Sequence, residues 1–310
     1  MDLRHMRHFI AVAEELHFGR AARRLNLAQP PLSQSIQRLE LDLGVQLFNR
    51  SRRGVEMTEA GKVFLEEARQ TLRHAELARK MTQRAAQQVP EVRVAFVGPA
   101  LYQVLPELLK RFRKSSPDVE VRLFEQSSPE QVAGIESGDY DIGFCTGATT
   151  MSGVCESTVV ETAPFAAAVP ADWPLAQRDS ITLGELAEQP WIQSPSKYKN
   201  AASESLAMFK RAGMMPKVVQ EATQTNTTLN LVGAGLGCAM VTATAALIQP
   251  RNVRVLPIAH NDIPGVQWEL LMIWHPQQIV GHAREFVDVG RHYAEGIKLH
   301  VTANRNSPTD

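Results

Sequence analysis

The strongest constraint on the fold of this 310-residue chain is a pair of short helical patterns joined by a tight turn near its N-terminus. The second pattern opens at Pro30 or Pro31, positions at which a helix has no internal partner for a backbone N–H. Leu32, Ile36 and Leu39 then recur at spacings of four and three, which buries one stripe of the second helix. A helix, a turn and a second helix with an outward polar face are therefore predicted.

The outward face of the second helix carries amides, a hydroxyl and a guanidinium. These groups supply the donors and acceptors that base edges in the major groove of DNA require. A short strand and a basic hairpin around Gly54 follow. A polar helix face alone is usually only a solvated face, but the three features in this order favour DNA binding. The candidate DNA-binding residues are Gln29, Pro30, Pro31, Ser33, Gln34, Gln37, Arg38, Arg50, Arg52 and Arg53.

Two stretches of this region, "MRHFIAVAEELHFGRAARRLNLAQPPLSQSIQRLELDLGVQLFNR" and "RGVEMTEAGKVFLEEAR", resemble the N-terminal module of LysR-type transcriptional regulators. The resemblance extends over nearly the whole chain and is most specific between Phe9 and Gly61. It implies a fold of the α plus α/β class: an N-terminal winged helix-turn-helix, a long linker helix and a C-terminal two-lobed α/β effector domain like the periplasmic binding proteins.

The resemblance also assigns roles to residues of the helical pair. It implies that Gln29, Pro30 and Ser33 lie near base edges or phosphates, and that Arg53 on the wing reaches a minor groove. Gln34 departs from the family pattern, in which an arginine is frequent at this position. The contact that such an arginine would make is therefore expected to be absent here or to come from Arg38.

Charge is distributed unevenly along the chain. Residues 1–90 carry 15 Lys and Arg against 10 Asp and Glu, whereas residues 91–310 carry 18 against 23. The zero net charge of the whole chain is therefore no objection to a nucleic-acid partner, because phosphates respond to local positive charge.

Cysteine usage and hydropathy indicate a cytoplasmic protein. Cys145, Cys155 and Cys238 are odd in number and lack CxxC spacing, so neither a disulfide framework nor a zinc site is predicted, and no cofactor is expected. Residues 1–5 lack an apolar secretory core, and no apolar run approaches the ~18 residues of a membrane span. A reducing, cytoplasmic location without a membrane partner follows.

A long helix is predicted after Thr58, which is a suitable N-cap, and before Pro90. A narrow apolar seam runs along it, formed by Leu65, Ala68, Leu72, Ala75, Ala78, Met81 and Ala85. A helix of about 29 residues at ~1.5 Å per residue is too long to fold back on a small domain. We therefore expect a homodimer formed through this linker helix, with packing on its own domain as the alternative, and the tetramer common among similar proteins as the larger assembly.

After Pro90, short apolar strands alternate with amphipathic helices, which predicts an α/β body. One of the strands is predicted at residues 165–169. The resemblance implies two lobes joined by two crossings, near residues 161–164 and 263–266. The expected domains are 1–58 for DNA binding, 59–89 for the linker helix and 90–300 for effector binding (lobe I about 90–162 plus 266–300, lobe II about 163–265), with a disordered tail at 301–310.

Candidate effector-binding groups lie where predicted strands lead into helices, whose unpaired N–H groups attract anions. The ordinary alternative for a single Ser or Thr at such a place is a helix N-cap. In similar proteins that respond to intermediates of aromatic degradation, the residue after Gly98 is commonly a hydroxyl, whereas here Pro99 removes that donor. The candidates are Gly98, Pro99, Ala100, Ser127, Ser128, Thr146, Ser194, Ser196, Lys197, Thr225, Asn226 and Thr227.

The sequence therefore predicts a DNA-binding transcriptional regulator that is switched by a small carboxylic or aromatic acid, with RNA polymerase as a further partner of an activator. The alternative is an α/β solute-binding protein or enzyme whose N-terminal helices serve assembly. No nucleophile elbow, phosphate-binding loop or metal cluster supports an enzyme, so none is predicted.

Overall fold

The computed structural model of this chain describes residues 1–51, 54–85, 90–146, 154–195, 201–259 and 267–305. Contacts divide the chain into two units, Met1–Gln87 and Gln88–Asp310. Among the described helices, none combines the length and the apolar character needed to cross a membrane.

The first unit is helical, with one small hairpin. Strands β1 and β2 pair antiparallel, from Phe48 opposite Met57 to Ser51 opposite Gly54. Helix α1 was not among the elements predicted from the sequence pattern. The elements are α1 (Leu3–Glu15), α2 (Phe18–Arg24), α3 (Gln29–Leu43), β1 (Phe48–Ser51), β2 (Gly54–Met57) and α4 (Glu59–Ala85).

Aromatic rings join the elements of this unit. Phe9 of α1 is fully buried, and its ring centroid lies 5.1 Å from that of Phe48 and 4.9 Å from that of Phe64. The ring of Phe18 lies against Phe48 as well, at 6.2 Å. The predicted stripe of α3 is confirmed, since Leu32, Ile36 and Leu39 pack fully buried into the same core.

Thr58 caps the long helix α4 as predicted. Its Oγ1 accepts a hydrogen bond from the Gly61 N–H at 2.9 Å and donates one to the Gln46 carbonyl at 2.8 Å. One of the free N–H groups in the first turn is thereby satisfied, and the helix start is tied to the segment before β1.

The apolar seam of α4 is divided between two environments. Its first part packs on the core of its own unit, where Leu65 and Leu72 are partly buried and Ala68 is fully buried. Burial on this helix extends to Leu77, which the predicted seam did not include. Further along, Ala78 is exposed. The alternative of packing on its own domain therefore holds for the first half of α4.

The second unit alternates strands with helices. Three short 3₁₀ segments accompany them, at Gly98–Leu101, Pro174–Gln177 and Ala243–Ile248. The elements are β3 (Glu91–Phe96), α5 (Val104–Ser115), β4 (Glu120–Glu125), α6 (Ser128–Glu136), β5 (Ile142–Thr146), β6 (Glu156–Pro170), α7 (Leu183–Ala187), β7 (Pro190–Gln193), α8 (Ala201–Arg211), β8 (Lys217–Glu221), α9 (Thr225–Gly233), β9 (Ala239–Thr242), β10 (Val253–Pro257), β11 (Gln267–Trp274) and α10 (Gly281–Arg305).

The strands of this unit form a mixed sheet. Its order over the described residues is β10-β6-β11-β5-β3-β4, with β9 pairing β6 as well. Strand β3 runs parallel to β4 and β5, whereas β11 runs antiparallel to β5 and β6. Strands β7 and β8 form a separate parallel pair, which a bridge between Trp191 and Cys238 connects to the rest of the second lobe.

Strand β6 belongs to both lobes. Residues 156–164 pair with β11, and residues 165–170 pair with β9 and β10. The change of partner coincides with the first predicted crossing at 161–164, while the second, at 263–266, lies in a stretch that the structure does not describe. The strand predicted at 165–169 is too short, since β6 begins at Glu156. The sequence pattern did not show the first half of β6 because polar residues interrupt it and its partner β11 lies far away in sequence.

Helix α10 covers the sheet of the first lobe. Phe286 packs between Phe112 of α5 and Phe144 of β5, with ring centroids 5.0 and 6.5 Å away. The helix continues to Arg305, so a disordered tail from residue 301 is incorrect for residues 301–305, and 306–310 lie outside the described residues.

A buried carboxylate lies on β6 near the change of partner. Glu161 is 9% exposed, and neither of its side-chain oxygens has a hydrogen-bond partner of good geometry among the described residues. Burial raises the pKa of Glu161 above its ordinary value of 4.5, and the nearby Thr244 hydroxyl offsets only part of this effect. The same carboxylate contributes, after burial, to the raised pKa of Tyr293.

We predict that Glu161→Gln stabilises the chain at neutral and basic pH. A raised folded-state pKa means that folding takes up a proton, so the contribution of Glu161 is fully present below 4.5 and is lost as the pH rises through the folded pKa. The amide stays neutral, and we expect it to be more stable at about pH 8 by about 1 kcal/mol, the scale of a buried unsatisfied polar group.

Denaturant unfolding between about pH 5 and about pH 8 measures this difference, which shrinks on acidification. Glu156→Gln, at the exposed start of the same strand, is the matched control. A Glu161→Gln chain less stable than the wild type at the basic end would contradict the interpretation.

Candidate functional site

The outward face of α3 presents polar side chains to solvent. Helix α3 begins without a side-chain N-cap, and Pro30 and Pro31 lie in its first turn. The side chains of Gln34, Gln37 and Arg38 are exposed and make no hydrogen bond within the described chain. The other predicted residues of this face are exposed as well, except Ser33, which is half-buried. This surface has an unused hydrogen-bonding capacity of the kind that a groove of DNA can satisfy.

Two arginines of α2 are held in ion pairs within this unit. Arg20 pairs with Glu15 at 3.2 Å, and Arg24 pairs with Glu14 at 2.7 Å. Arg69 of α4 also binds Glu14, at 2.8 Å, and is the main reason that the pKa of Glu14 lies below its usual value. Part of the basic charge of this unit therefore ties α1, α2 and α4 together.

Arg50, a predicted DNA contact, lies in an internal network. Its guanidinium pairs with Glu40 at 3.3 Å and lies 4.8 Å from the centroid of the Phe18 ring. Glu40 also accepts the backbone N–H groups of Leu47 and Phe48, at 2.9 and 3.1 Å. One carboxylate of α3 thus holds the start of the β1–β2 hairpin, and the geometry gives Arg50 a role in positioning that hairpin.

Four of the predicted site residues cannot be placed. Arg52 and Arg53, which follow β1 in the sequence, lie outside the described residues. Ser196 and Lys197, which precede α8 in the sequence, do so as well.

A cavity of about 370 Å³ lies between the two lobes of the second unit. Its volume is within the range of pockets that bind small ligands. Seven of the predicted effector residues line it: Gly98, Pro99, Ser127, Ser128, Thr146, Ser194 and Thr225. The segments that meet here are the carboxyl ends of β3, β4 and β5 with the start of α6 from one lobe, and β7, β9 and the start of α9 from the other.

Two serines at the start of α6 have different roles. The Ser127 hydroxyl donates to Glu130 at 2.6 Å within a capping box, which is the ordinary alternative considered for such a residue. Ser128 is buried, and its Oγ accepts the Thr146 backbone N–H at 3.2 Å. Ser128 therefore ties the end of β5 to α6 at the cavity wall.

Three predicted effector residues do not line the cavity. Ala100 is fully buried and packs into the core beneath the 3₁₀ turn. Asn226 and Thr227 are exposed on the outer side of α9. Thr228 lines the cavity instead, because residues three apart on a helix lie on the same face and Thr228 therefore lies on the face of Thr225.

Several lining residues are not among the candidates predicted from the sequence. Glu125 is the last residue of β4, and Gln224 is the N-cap of α9. Trp268 of β11 is buried and lines the cavity two residues before Leu270, which pairs with Thr146 at the carboxyl end of β5. The helical repeat from Thr225 is a signal that could have identified Thr228. No local signal could have identified Trp268, since β11 reaches the site only through its pairing in the sheet.

Two hydroxyl groups from opposite lobes are neighbours beside the cavity. Tyr102, which follows the 3₁₀ turn after β3, packs its ring against the core of the second lobe. Its hydroxyl is a neighbour of the Thr225 side chain at the start of α9. Burial raises the pKa of Tyr102, the Thr225 side chain lowers it, and the nearby Glu125 carboxylate raises it further.

The cysteines are unsuited to redox or metal chemistry. Burial raises the pKa of Cys145 to about 12, that of Cys238 to about 12 and that of Cys155 to about 11, which leaves little thiolate near neutral pH. Over the described residues, no group of three or more His, Cys, Asp or Glu side chains is arranged to hold a metal ion.

Comparison with known proteins accounts for both units. Residues 3–62 match the family described as bacterial regulatory helix-turn-helix protein, lysR family, and residues 85–294 match the LysR substrate binding domain. An uncharacterised HTH-type transcriptional regulator of Escherichia coli, YnfL, is 37% identical over 88% of this chain and 92% of its own length. The regulator AlsR of Bacillus subtilis is 38% identical over 79% of this chain and 82% of its own.

A solved structure shows the same architecture. Full-length CbnR in complex with its target DNA is 31% identical, covers 95% of this chain and 100% of its own, and superposes with a TM-score of 0.58. The predicted family, the winged helix-turn-helix and the two-lobed α/β effector domain are thereby confirmed, and the alternative of an enzyme or solute-binding protein is excluded. The chain belongs to the LysR family of transcriptional regulators, which bind DNA through the helix-turn-helix and are switched by an effector.

Proposed function

We propose that this regulator reads an operator of approximate dyad symmetry with α3 and is switched by a small carboxylic acid held between its lobes. The observation that carries the first part is the polar face of α3: its Gln34, Gln37 and Arg38 side chains make no hydrogen bond to the described residues, and the opposite stripe is fully buried. A helix fixed in this way presents its N-terminal residues to base edges in the major groove.

The candidate DNA-binding residues divide into those that suit bases and those that suit phosphates or hold the hairpin in place. Gln29 and Ser33 lie in the first turns of α3, with an amide and a hydroxyl that suit base edges. Arg38, exposed in the middle of α3, suits a phosphate. Arg50 is assigned to holding the hairpin, which would carry Arg52 and Arg53 toward an adjacent groove.

Two copies joined through α4 would present two such helices. The first half of α4 is covered by its own unit, whereas Ala78 is exposed and Met81 only half-buried. This uncovered part of the seam is available to the same part of a second chain. Strands β4 and β8 also end their sheets, with Leu123 and Val218 exposed, which supports further association into a tetramer.

The proposal of a carboxylic acid as effector depends on the helix ends and hydroxyl groups that line the cavity. The N-terminal ends of α6 and α9 both lie at its wall, and such ends attract carboxylates. Thr225 and Ser128 add hydroxyl groups at those ends. A cytoplasmic location and contact with RNA polymerase complete the proposal and rest on the family alone.

The switch we propose is a hydrogen bond between the neighbouring hydroxyl groups of Tyr102 and Thr225. Such a bond would join the lobes beside the cavity, where the Tyr102 ring already packs on the second lobe. A ligand that takes the Thr225 hydroxyl must break the bond, and it thereby favours a different angle between the lobes. Effector and operator would then change each other's affinity by the same factor.

We predict that Gln29→Ala changes base preference. Loss of a contact to a base edge removes about 1–3 kcal/mol of discrimination at one position of the site and leaves the other positions unchanged. Binding of the full-length protein to a set of operators with single base changes measures this. An equal loss of affinity for every operator would mean that Gln29 makes no base contact.

Salt dependence separates Arg38 from Arg50. Each phosphate neutralised adds about one to the slope of log affinity against log salt concentration. We expect Arg38→Ala to lower this slope by about one, because Arg38 has no ion pair among the described residues. We expect Arg50→Ala to leave the slope unchanged while lowering thermal stability, because Glu40 already neutralises that guanidinium. The opposite pattern would place Arg50 on the DNA.

We predict that Tyr102→Phe strengthens effector binding. The ring stays packed in the second lobe, and only the proposed bond to Thr225 is lost. A hydrogen bond of about 0.5–1.5 kcal/mol corresponds to roughly a two- to tenfold gain. The measurement is calorimetric titration with the acid that gives the largest thermal shift in a screen of carboxylic acids. Thr225→Ala is the control and should weaken binding; an unchanged or weaker Tyr102→Phe would remove the proposed switch.

A further inference from the structure

Two acceptor groups from opposite lobes converge on the space beside Gly98. A Cβ atom at this glycine would lie 3.7 Å from Glu125 Oε1 and 3.8 Å from Gln224 Oε1. Glu125 ends β4 in the first lobe, and Gln224 precedes α9 in the second. All three residues line the cavity, and the missing side chain of Gly98 leaves room between the two oxygens.

The Glu125 carboxylate has no partner among the described residues. It forms neither an ion pair nor a hydrogen bond there, although it acts on Tyr102 through its charge. The other acidic residue of the cavity wall, Glu130, is occupied, since its Oε2 accepts the N–H and the hydroxyl of Ser127. The Gln224 side chain makes no hydrogen bond to the described residues either, and no described lining residue is a lysine, arginine or histidine.

This arrangement is unfavourable for a ligand that carries a carboxylate alone. The helix ends of α6 and α9 attract its negative charge, but Glu125 repels it at short range. An ammonium group placed beside Gly98 removes this conflict. It can donate to the Glu125 carboxylate and to the Gln224 amide oxygen, and hydrogen bonds between ionised groups are the stronger ones.

We infer that the effector is an amine-bearing carboxylic acid, of the α-amino acid class, whose ammonium group bridges Glu125 and Gln224. Its carboxylate lies at the starts of α6 and α9, with Thr225 and Ser128. The inference rests on the proposed function of the cavity and narrows it. Because the ammonium contacts both lobes at once, it favours the arrangement in which they are close, and so gives the ligand the differential affinity that a switch requires.

The test compares matched pairs of probes on the full-length protein. Each of the common L-amino acids is titrated beside the carboxylic acid that lacks its amino group, by thermal shift and then by calorimetry. We expect an amino acid to bind more tightly than its deaminated partner. Glu125→Gln should weaken the amino acid about tenfold or more and leave or improve the deaminated acid.

Glu120→Gln, at the exposed opposite end of β4, is the matched control and should change neither affinity. Glu125→Lys should reverse the preference, since it replaces the repelling charge with an attracting one. Both positions lie at the surface, and a wild-type melting temperature without ligand shows that each variant is folded.

The outcomes separate this inference from the proposed function. If deaminated acids bind the wild type as tightly as their amino partners, or if Glu125→Gln changes nothing, the ammonium site is wrong while a carboxylic acid effector stands. If no member of either series binds, both are wrong. A preference for amino acids that disappears in Glu125→Gln supports both.

Discussion

The continuity of strand β6 is the constraint on which the sensing half of this protein depends. Its first nine residues are bonded to β11 in one lobe and its last six to β9 and β10 in the other. A single strand shared in this way keeps the lobes adjacent and leaves a cleft between them, with the carboxyl ends of β3, β4 and β5 at one wall. Polar groups of both lobes face each other there because one backbone holds the two sheets in register.

In the DNA-binding half, an aromatic core has the corresponding role. Phe9, Phe48 and Phe64 bring α1, β1 and α4 together, and α3 lies on this core through its buried stripe. Ion pairs within this unit neutralise several of the positive charges that a count along the chain would assign to DNA binding. The Glu40 and Arg50 network shows the consequence. A basic residue beside a recognition helix can stabilise the fold through an internal ion pair, and the phosphate contacts are then made by other residues.

Much of the fold was predictable because it depends on local spacing. The proline start of α3, its stripe at intervals of four and three and the Thr58 cap of α4 all lie within a few residues of the feature that they determine. Most described members of the predicted effector set line the cavity for the same reason, since strand ends lead into helices. Asn226 and Thr227 do not line the cavity, because the turn of α9 places Thr225 and Thr228 on the inner face.

The amino-acid pattern by itself determined the family, the order of helices and strands, and the types of chemical group offered to DNA and to a ligand. Only the tertiary structure decided which of these groups stay available. Arg50 is neutralised by a carboxylate of another element, whereas Glu125 is left opposite Gln224 with no cation beside it among the described residues. The physical reason is that charge pairing acts over a few ångströms, and the atoms that meet at that range come from segments distant in the chain.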